Sequence, residues 1–169
     1  MSHEYTYDIS MFRDTFETRF TYLNGFLRNV SRFGSRSALF DPRSGRRWTY
    51  RELNAEANRL AHALRADGVG KNDVVMFNSP EFVFCYLAAH KIGAIACPVN
   101  YRQGAGEIAL VIDDSTPKAF IYDAEFGELS GGALDLCESK PAIKIVVGAD
   151  DAVPAGQVRY ADYAADQPE

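Results

Sequence analysis

Residues 48–123 read WTYRELNAEANRLAHALRADGVGKNDVVMFNSPEFVFCYLAAHKIGAIACPVNYRQGAGEIALVIDDSTPKAFIYD, and this stretch decides the fold. From Leu53 to Leu64 apolar residues recur at three- and four-residue steps; Val74-Val75-Met76-Phe77 then runs apolar without a break. The change of period repeats, giving helix, strand, helix, strand, helix, strand. Such alternation builds βαβ units on a parallel sheet. The expected fold class is α/β: three layers, with a mostly parallel sheet flanked by helices, an N-terminal helix and a β-hairpin. Strands are expected near 74–77, 94–99, 119–122 and 143–147, the hairpin at 38–50, and right-handed crossovers throughout.

The punctuation agrees with the periods. Thr49 and Glu52 have capping-box spacing ahead of the first helix, and Gly68 can close that helix in a left-handed cap. Ser79 suits an N-cap, Pro80 a first helical position, and Glu81 the positive end of the dipole. The helix that follows is apolar almost all round and stops at Gly93, so deep burial is expected. A helix from about Ala105 to Asp114 closes at Thr116-Pro117. Residues 124–138 read as weakly helical, because Gly131-Gly132 interrupts them.

Upstream, residues 1–10 are polar. Phe12, Phe16, Phe20, Leu23, Leu27 and Val30 then mark one face of a helix over 11–30, with Asn24-Gly25 as a candidate break into two pieces; the aromatic stripe reads as a packing face. Downstream, residues 148–169 are rich in Asp, Ala and Pro and show no closing element. The expected organisation is one α/β domain over 1–169, with a helical lead-in at 1–35, a core at 36–148 and a tail at 149–169.

Composition sets outer limits. The chain has 169 residues, 47% apolar and 24% charged, which is the profile of a globular domain able to bury a core without disulfides. A net charge of -5 offers no basic stripe, so no nucleic-acid partner is expected. Cys85, Cys97 and Cys137 are three, widely spaced and outside any CxxC pattern, which argues against zinc and for reduced thiols. No secretory h-region and no apolar run of about 18 residues is visible, so a cytoplasmic location is expected.

Motifs for chemistry are scarce. No phosphate loop, dinucleotide fingerprint or nucleophile elbow occurs. Gly104-Ala105-Gly106 ahead of a helix can offer amides to an anion, but a plain loop-to-helix turn explains it as well. His62 reads as a surface residue and His90 as structural. Cys85 and Cys97 read as small buried hydrophobes, and Asp113-Asp114 as a solvated helix end. Position is more informative, since ligands of open parallel sheets gather beyond the carboxyl ends of the strands. Those places are Asn78-Ser79, Asn100-Tyr101-Arg102 and Asp123. Asn78 can bond a polar ligand group and Arg102 can grip a phosphate; turn geometry and surface capping are the competing readings.

Three segments carry a resemblance: TYRELNAEANRLAHALRADGVGKNDVV, NSPEFVFCYLAAHKIGAIACPVN and IDDSTPKAFI. They resemble the N-terminal part of the AMP-forming acyl-CoA synthetases, in the adenylate-forming superfamily. Thr49-Tyr50-x-Glu52-Leu53 is similar to the family's first block, and Lys91-x-Gly93-Ala94 with Pro98-x-Asn100 to its second. His90 and Cys97 depart from the residues usual there. The resemblance spans about residues 25–148.

It implies a ligase that uses ATP and magnesium to activate a carboxylic acid as an acyl-adenylate, then passes the acyl group to a thiol such as coenzyme A. Family enzymes run to about three times this length. The phosphate-holding loop, the magnesium-placing acids and the adenylation lysine would lie outside these residues. The chain is therefore expected to be an N-terminal fragment, inactive alone and without a cofactor of its own, whose partner is the remainder of the ligase. Self-association through exposed apolar surface is expected of such a fragment. By the same resemblance Asn78, Ser79, Asn100, Arg102 and Gly104 are candidates to border the acyl and coenzyme A cleft. A stand-alone interaction or regulatory module is the alternative. A flavodoxin-like nucleotide binder fits poorly, because Pro80 removes an amide donor from the loop where phosphate would sit.

Overall fold

The computed structural model describes residues 8–42, 45–78, 82–149 and 153–169. The chain forms two compact units, Met1–Arg51 and Glu52–Glu169.

In the first unit, α1 (Ile9–Phe12) runs directly into a π-helical stretch, Arg13–Arg19, and α2 spans Tyr22–Phe33. The break falls at Phe20-Thr21 rather than at Asn24-Gly25. Thr21 is the N-cap of α2 and accepts from the Asn24 amide at 3.2 Å. The Asn24 side chain donates backwards to the Thr18 and Arg19 carbonyls, at 3.3 and 3.1 Å. Asn24 thus satisfies the orphan carbonyls of one helix while lying inside the next. Phe12, Phe16 and Phe20 do not form a core: they are exposed, Phe12 stacks on Phe16 with centroids 4.8 Å apart, and Phe20 meets Phe16 at a tilt, 5.8 Å away. β1 (Ser37–Phe40) and β2 (Arg47–Thr49) form the expected antiparallel hairpin. The expected turn includes Arg43 and Ser44, which lie outside the described residues.

The second unit holds a five-stranded, fully parallel sheet. Its strands are β3 (Val74–Asn78), β4 (Ile95–Pro98), β5 (Ala119–Asp123), β6 (Ile143–Val147) and β7 (Val158–Arg159), in the order β4-β3-β5-β6-β7. Four further helices cover it with α3 (Tyr50–Ala66): α4 (Phe82–Ile92), α5 (Ala105–Ser115), α6 (Gly127–Leu136) and α7 (Tyr160–Ala165).

Strand alternation splits the core in two. Val75, Phe77, Ala119, Ile121, Ile145 and Val147 pack on one face against Leu60 and Leu64 of α3 and Cys85, Ala88 and Ala89 of α4, with Tyr160 and Tyr163 of α7 alongside. Met76, Phe120, Tyr122 and Val146 point the other way, onto Ile108 and Ile112 of α5 and Ala133 of α6. A strand buried on both faces reads as a continuous apolar run, and β3 does so from Val74 to Phe77.

Two helix ends are closed by the same device. Gly68 has φ +81° and Gly93 φ +73°. Val69 donates to the Leu64 carbonyl and Gly68 to Arg65; Ala94 donates to Ala89 and Gly93 to His90. Both are Schellman caps, and each drops the chain straight towards the next strand.

The region 149–169 is not a structureless tail. β7 extends the sheet, and α7 packs on the face shared by α3 and α4. The Tyr163 hydroxyl donates to Asp67 at 2.9 Å, and Arg59 pairs with Glu169. A two-residue strand leaves almost no periodic signal, which is why the sequence shows none.

At the opposite edge, β4 carries half-exposed Ile95 and exposed Pro98. The Ile95 and Val99 amides donate inwards, to the Asp73 and Phe77 carbonyls. By alternation, Ala96 and Pro98 turn their backbone to the open side.

Candidate functional site

The topology builds a crevice. From β3 the chain steps sideways to β4 through α4, on the Phe77 face; from β4 it returns past β3 to β5 through α5, on the Met76 face. A reversal of direction puts the two helices on opposite faces if the crossover hand stays constant. The helices that follow the neighbouring strands β3 and β5 therefore lie on opposite faces, and the end of the sheet between those two strands is the topological switch point, where open α/β sheets bind ligands.

Asn78 ends β3 and pairs with Tyr122 of β5. It is only 6% exposed, and its Nδ2 has no hydrogen-bond partner among the described residues. A buried amide left without a partner costs stability. Ser79, expected as an N-cap, and Pro80 and Glu81, expected at the helix start, lie outside the described residues.

The loop after β4 shows how its residue types are used. Asn100 Oδ1 accepts from the Arg102 amide at 3.0 Å, and the Asn100 carbonyl accepts from Gln103 at 3.1 Å. Its side chain thus holds the turn, the role an Asx residue plays in loops. Arg102 is exposed; its Nε donates to the Tyr101 hydroxyl at 3.2 Å, and its guanidinium lies 5.4 Å from that ring. The Tyr101 ring stacks on Phe126, 5.9 Å away, so the exits of β4 and β5 are joined. Phe126 belongs to a short 3₁₀ turn, Ala124–Phe126, started by Asp123, whose Oδ1 accepts from Glu125 at 2.7 Å. Neither Tyr101 nor Phe126 stood out as a pair in the sequence, because 25 positions separate them and no local period links them.

Gly104 is the N-cap of α5, and its amide donates to Glu107 Oε2 at 2.8 Å. The positive end of this helix is thus already met by a carboxylate of its own first turn. The Gly104 amide is not held open for an anion.

Other polar groups serve structure. Asp113 Oδ1 accepts from the Glu138 and Ser139 amides at 2.8 and 2.7 Å, so it anchors the end of α6 instead of forming a solvated pair with exposed Asp114. His62 is exposed, and His90 meets the Tyr86 ring edge-on at 4.5 Å. Cys97 is half-buried rather than buried, and burial pushes its thiol up, away from nucleophilic thiolate. Lys91, in the second resemblance block, donates to Asn54 Oδ1 at 2.8 Å and ties α4 to α3; burial pushes its ammonium down. Among the described residues no three of His, Cys, Asp and Glu gather as a metal site, so these residues do not fit magnesium and no step is routed through it. No helix among them is long and apolar enough to cross a membrane.

Two open grooves, of about 270 and 290 Å³, lie elsewhere. One sits by Asp67, Lys144, Gln157 and Tyr163, and the other between α3 and α7 by Arg59 and Tyr160. Neither contains an exit-loop residue.

What the fold defines is a doubly wound α/β segment with one exposed guanidinium, that of Arg102, in the loop after β4. The family model for AMP-binding enzymes matches residues 26–168, and the chain belongs to that family. It is 35% identical over 134 residues to the long-chain-fatty-acid–CoA ligase FadD13 of Mycobacterium tuberculosis, covering 78% of this chain and 26% of that protein. It is 43% identical over 107 residues to the 3-hydroxybenzoate–CoA/4-hydroxybenzoate–CoA ligase of Thauera aromatica, covering 62% and 20%. The anthranilate CoA ligase AuaEII, solved in complex with anthranoyl-AMP, superposes with a TM-score of 0.78 at 25% identity, over 86% of this chain and 28% of that one. A putative long-chain-fatty-acid CoA ligase from Rhodopseudomonas palustris gives 0.77 at 32% identity, over 90% and 38%. The chain spans about a fifth to a quarter of the length of these curated relatives.

Proposed function

We propose that this chain is the N-terminal α/β segment of an ATP-dependent, AMP-forming carboxylate–CoA ligase, and that it is inert by itself. The observation that carries the reading is the family match over residues 26–168, together with relatives that are CoA ligases. In such a ligase the carboxylate attacks the α-phosphorus of ATP and pyrophosphate leaves. The thiolate of coenzyme A then attacks the acyl carbon, and AMP leaves. Phosphoryl transfer needs cations or oriented amides gathered round the reacting phosphorus. The described crevice supplies one guanidinium, and its helix N-terminus is already answered by Glu107. The segment is therefore a wall of the cleft, cytoplasmic in setting, with the remainder of the ligase as partner.

Within that wall, Asn78 offers its buried amide to a substrate or to the completing domain. Arg102 offers a charge to a phosphate of coenzyme A, Asn100 and Gly104 shape its loop, and Ser79, outside the described residues, stays a candidate by resemblance alone. ATP, magnesium and coenzyme A belong to the whole enzyme. The relatives act on aryl and long-chain acids alike by their names, so the acid is proposed only as a monocarboxylate.

The test is AMP release with ATP, magnesium, coenzyme A and a panel of acids. The chain alone should release none, and sustained turnover by it would overturn the reading. A chimera carrying residues 26–168 in place of the matching segment of the Thauera ligase should release AMP, and Arg102→Ala in it should raise KM for coenzyme A about tenfold with kcat little changed. A folded chimera that binds ATP yet forms no adenylate would count equally against it.

A further inference from the structure

The whole-chain charge of -5 conceals a strong asymmetry. Residues 1–51 hold nine arginines, no lysine and five carboxylates, a balance of +4; residues 52–169 balance to -9. Within 21–51 the imbalance sharpens to seven arginines against Asp41 alone. The absence of a basic stripe, read from the total, does not hold for the first unit.

These arginines are exposed and organised. Arg28 and Arg32 lie one turn apart on the open side of α2, whose Leu23, Phe26, Val30 and Phe33 are half-buried. Arg32 and Arg36 rest against the Phe33 ring, at 5.3 and 5.2 Å, and Arg47 lies 4.0 Å over Phe40, its partner across the hairpin. Among the described residues none of Arg28, Arg32, Arg36 and Arg47 forms an ion pair. Like charges one turn apart destabilise a helix, so the row is costly unless an anion meets it. Stacked guanidinium groups keep their donor edges free, which suits bidentate contact with phosphate.

The same unit carries an apolar feature that a purely ionic partner does not need. Ile9 is 54% exposed, Met11 70%, Phe16 51% and Phe20 69%. Aliphatic Ile9 and Met11 have no use in stacking on bases. A unit that carries both exposed Phe, Met and Ile and an arginine row has the make-up of elements that lie in a bilayer interface.

We propose that the first unit is a membrane-docking surface for anionic phospholipid. Arg28, Arg32, Arg36 and Arg47 meet the headgroup phosphates, and Met11, Phe16 and Phe20 enter the acyl boundary. This stands apart from the ligase reading, because every residue it uses lies in Met1–Arg51 and none belongs to the crevice.

Flotation of the 169-residue chain with vesicles tests it. Vesicles of phosphatidylcholine with one quarter phosphatidylglycerol should bind the chain, pure phosphatidylcholine should bind it weakly, and salt should release it. Arg28→Gln/Arg32→Gln/Arg36→Gln should lower partitioning roughly 100-fold, about fivefold per arginine. Phe16→Ser/Phe20→Ser should lower it about tenfold at unchanged charge. Equal binding to both vesicle types would overturn the proposal, as would retention by the arginine variant. So would an oligonucleotide that outcompetes the vesicles for the same arginines. Lipid preference and salt release are read on the unaltered chain, so the test survives a variant that fails to fold.

Discussion

Asn78→Val should make the 169-residue chain more stable, although it removes a residue placed at the candidate site. The Asn78 side chain is 6% exposed, and its Nδ2 finds no partner among the described residues. A buried donor without an acceptor costs about 1–3 kcal/mol. Valine is similar in size and suits an extended position. It removes the polar group and leaves little cavity, so a net gain of about 1–2 kcal/mol is expected. For a unit of this size that raises Tm by about 3–6 °C. Asn78→Asp should do the reverse, because it puts a carboxyl where the charged form is poorly solvated. Its folded pKa would lie above the unfolded value of about 3.9, so its stability should be greatest in acid and fall as pH rises past about 4. Urea titrations followed by circular dichroism measure both; the midpoint should move while the slope stays fixed. A loss of more than about 1 kcal/mol in the valine variant would mean that the amide is already satisfied, and the argument for Asn78 as a waiting ligand group would fail. In the chimeric ligase the valine variant should lose activity while gaining stability, the opposition expected where a protein keeps a strained group for use.

Other outcomes follow from single contacts. Gly68→Ala and Gly93→Ala should each cost about 1–2 kcal/mol by forcing a left-handed alanine, since a Cβ there meets only ordinary contacts at 3.9 and 3.6 Å. Gly25→Ala, inside α2 with open space around it, should stabilise by about 0.5–1 kcal/mol in the same thermal melts. Asp113→Ala should cost about 1–2 kcal/mol by orphaning two amides after α6, and Asp113→Asn should recover part of it. Lys91 is held below 10.5 by burial, so its penalty is full well below its folded pKa and lifts as pH rises towards 10.5; Lys91→Met should flatten that rise in stability. Tyr163 is held above 10 by burial and by Asp67, so its contribution is full below pH 10 and lost above it; Tyr163→Phe should flatten that fall.

Most of the fold was legible because its strands are buried on both faces. Val74–Phe77 is apolar throughout and Ile143–Val147 at every position but Lys144, a pattern that suits that setting, and both strands lie where the sequence puts them. Gly68 and Gly93 were readable as stops because a left-handed residue is chemically distinctive. The helix break at Thr21 was hidden by Asn24, whose side chain reaches back five and six residues to the previous helix. β7 and α7 were hidden because their support is remote: Asp67 for Tyr163, and Arg59 for Glu169. At the crevice, topology indicated the exit loops, but the roles inside them needed geometry. Nothing in the letters Asn100 and Arg102 tells that one holds the turn while the other leans on Tyr101. The charge of the first unit was masked by averaging over a more acidic second one.

Pro98 has a bearing on how copies of this chain can meet. It sits where the outermost strand turns its main chain outward, and an imino acid has nothing to donate there. A visiting strand would find one amide, that of Ala96, and beyond it a ring. Stacking sheet against sheet into fibres is blocked on that flank, however sticky the side chains nearby. Copies that meet along this edge must do so through side chains.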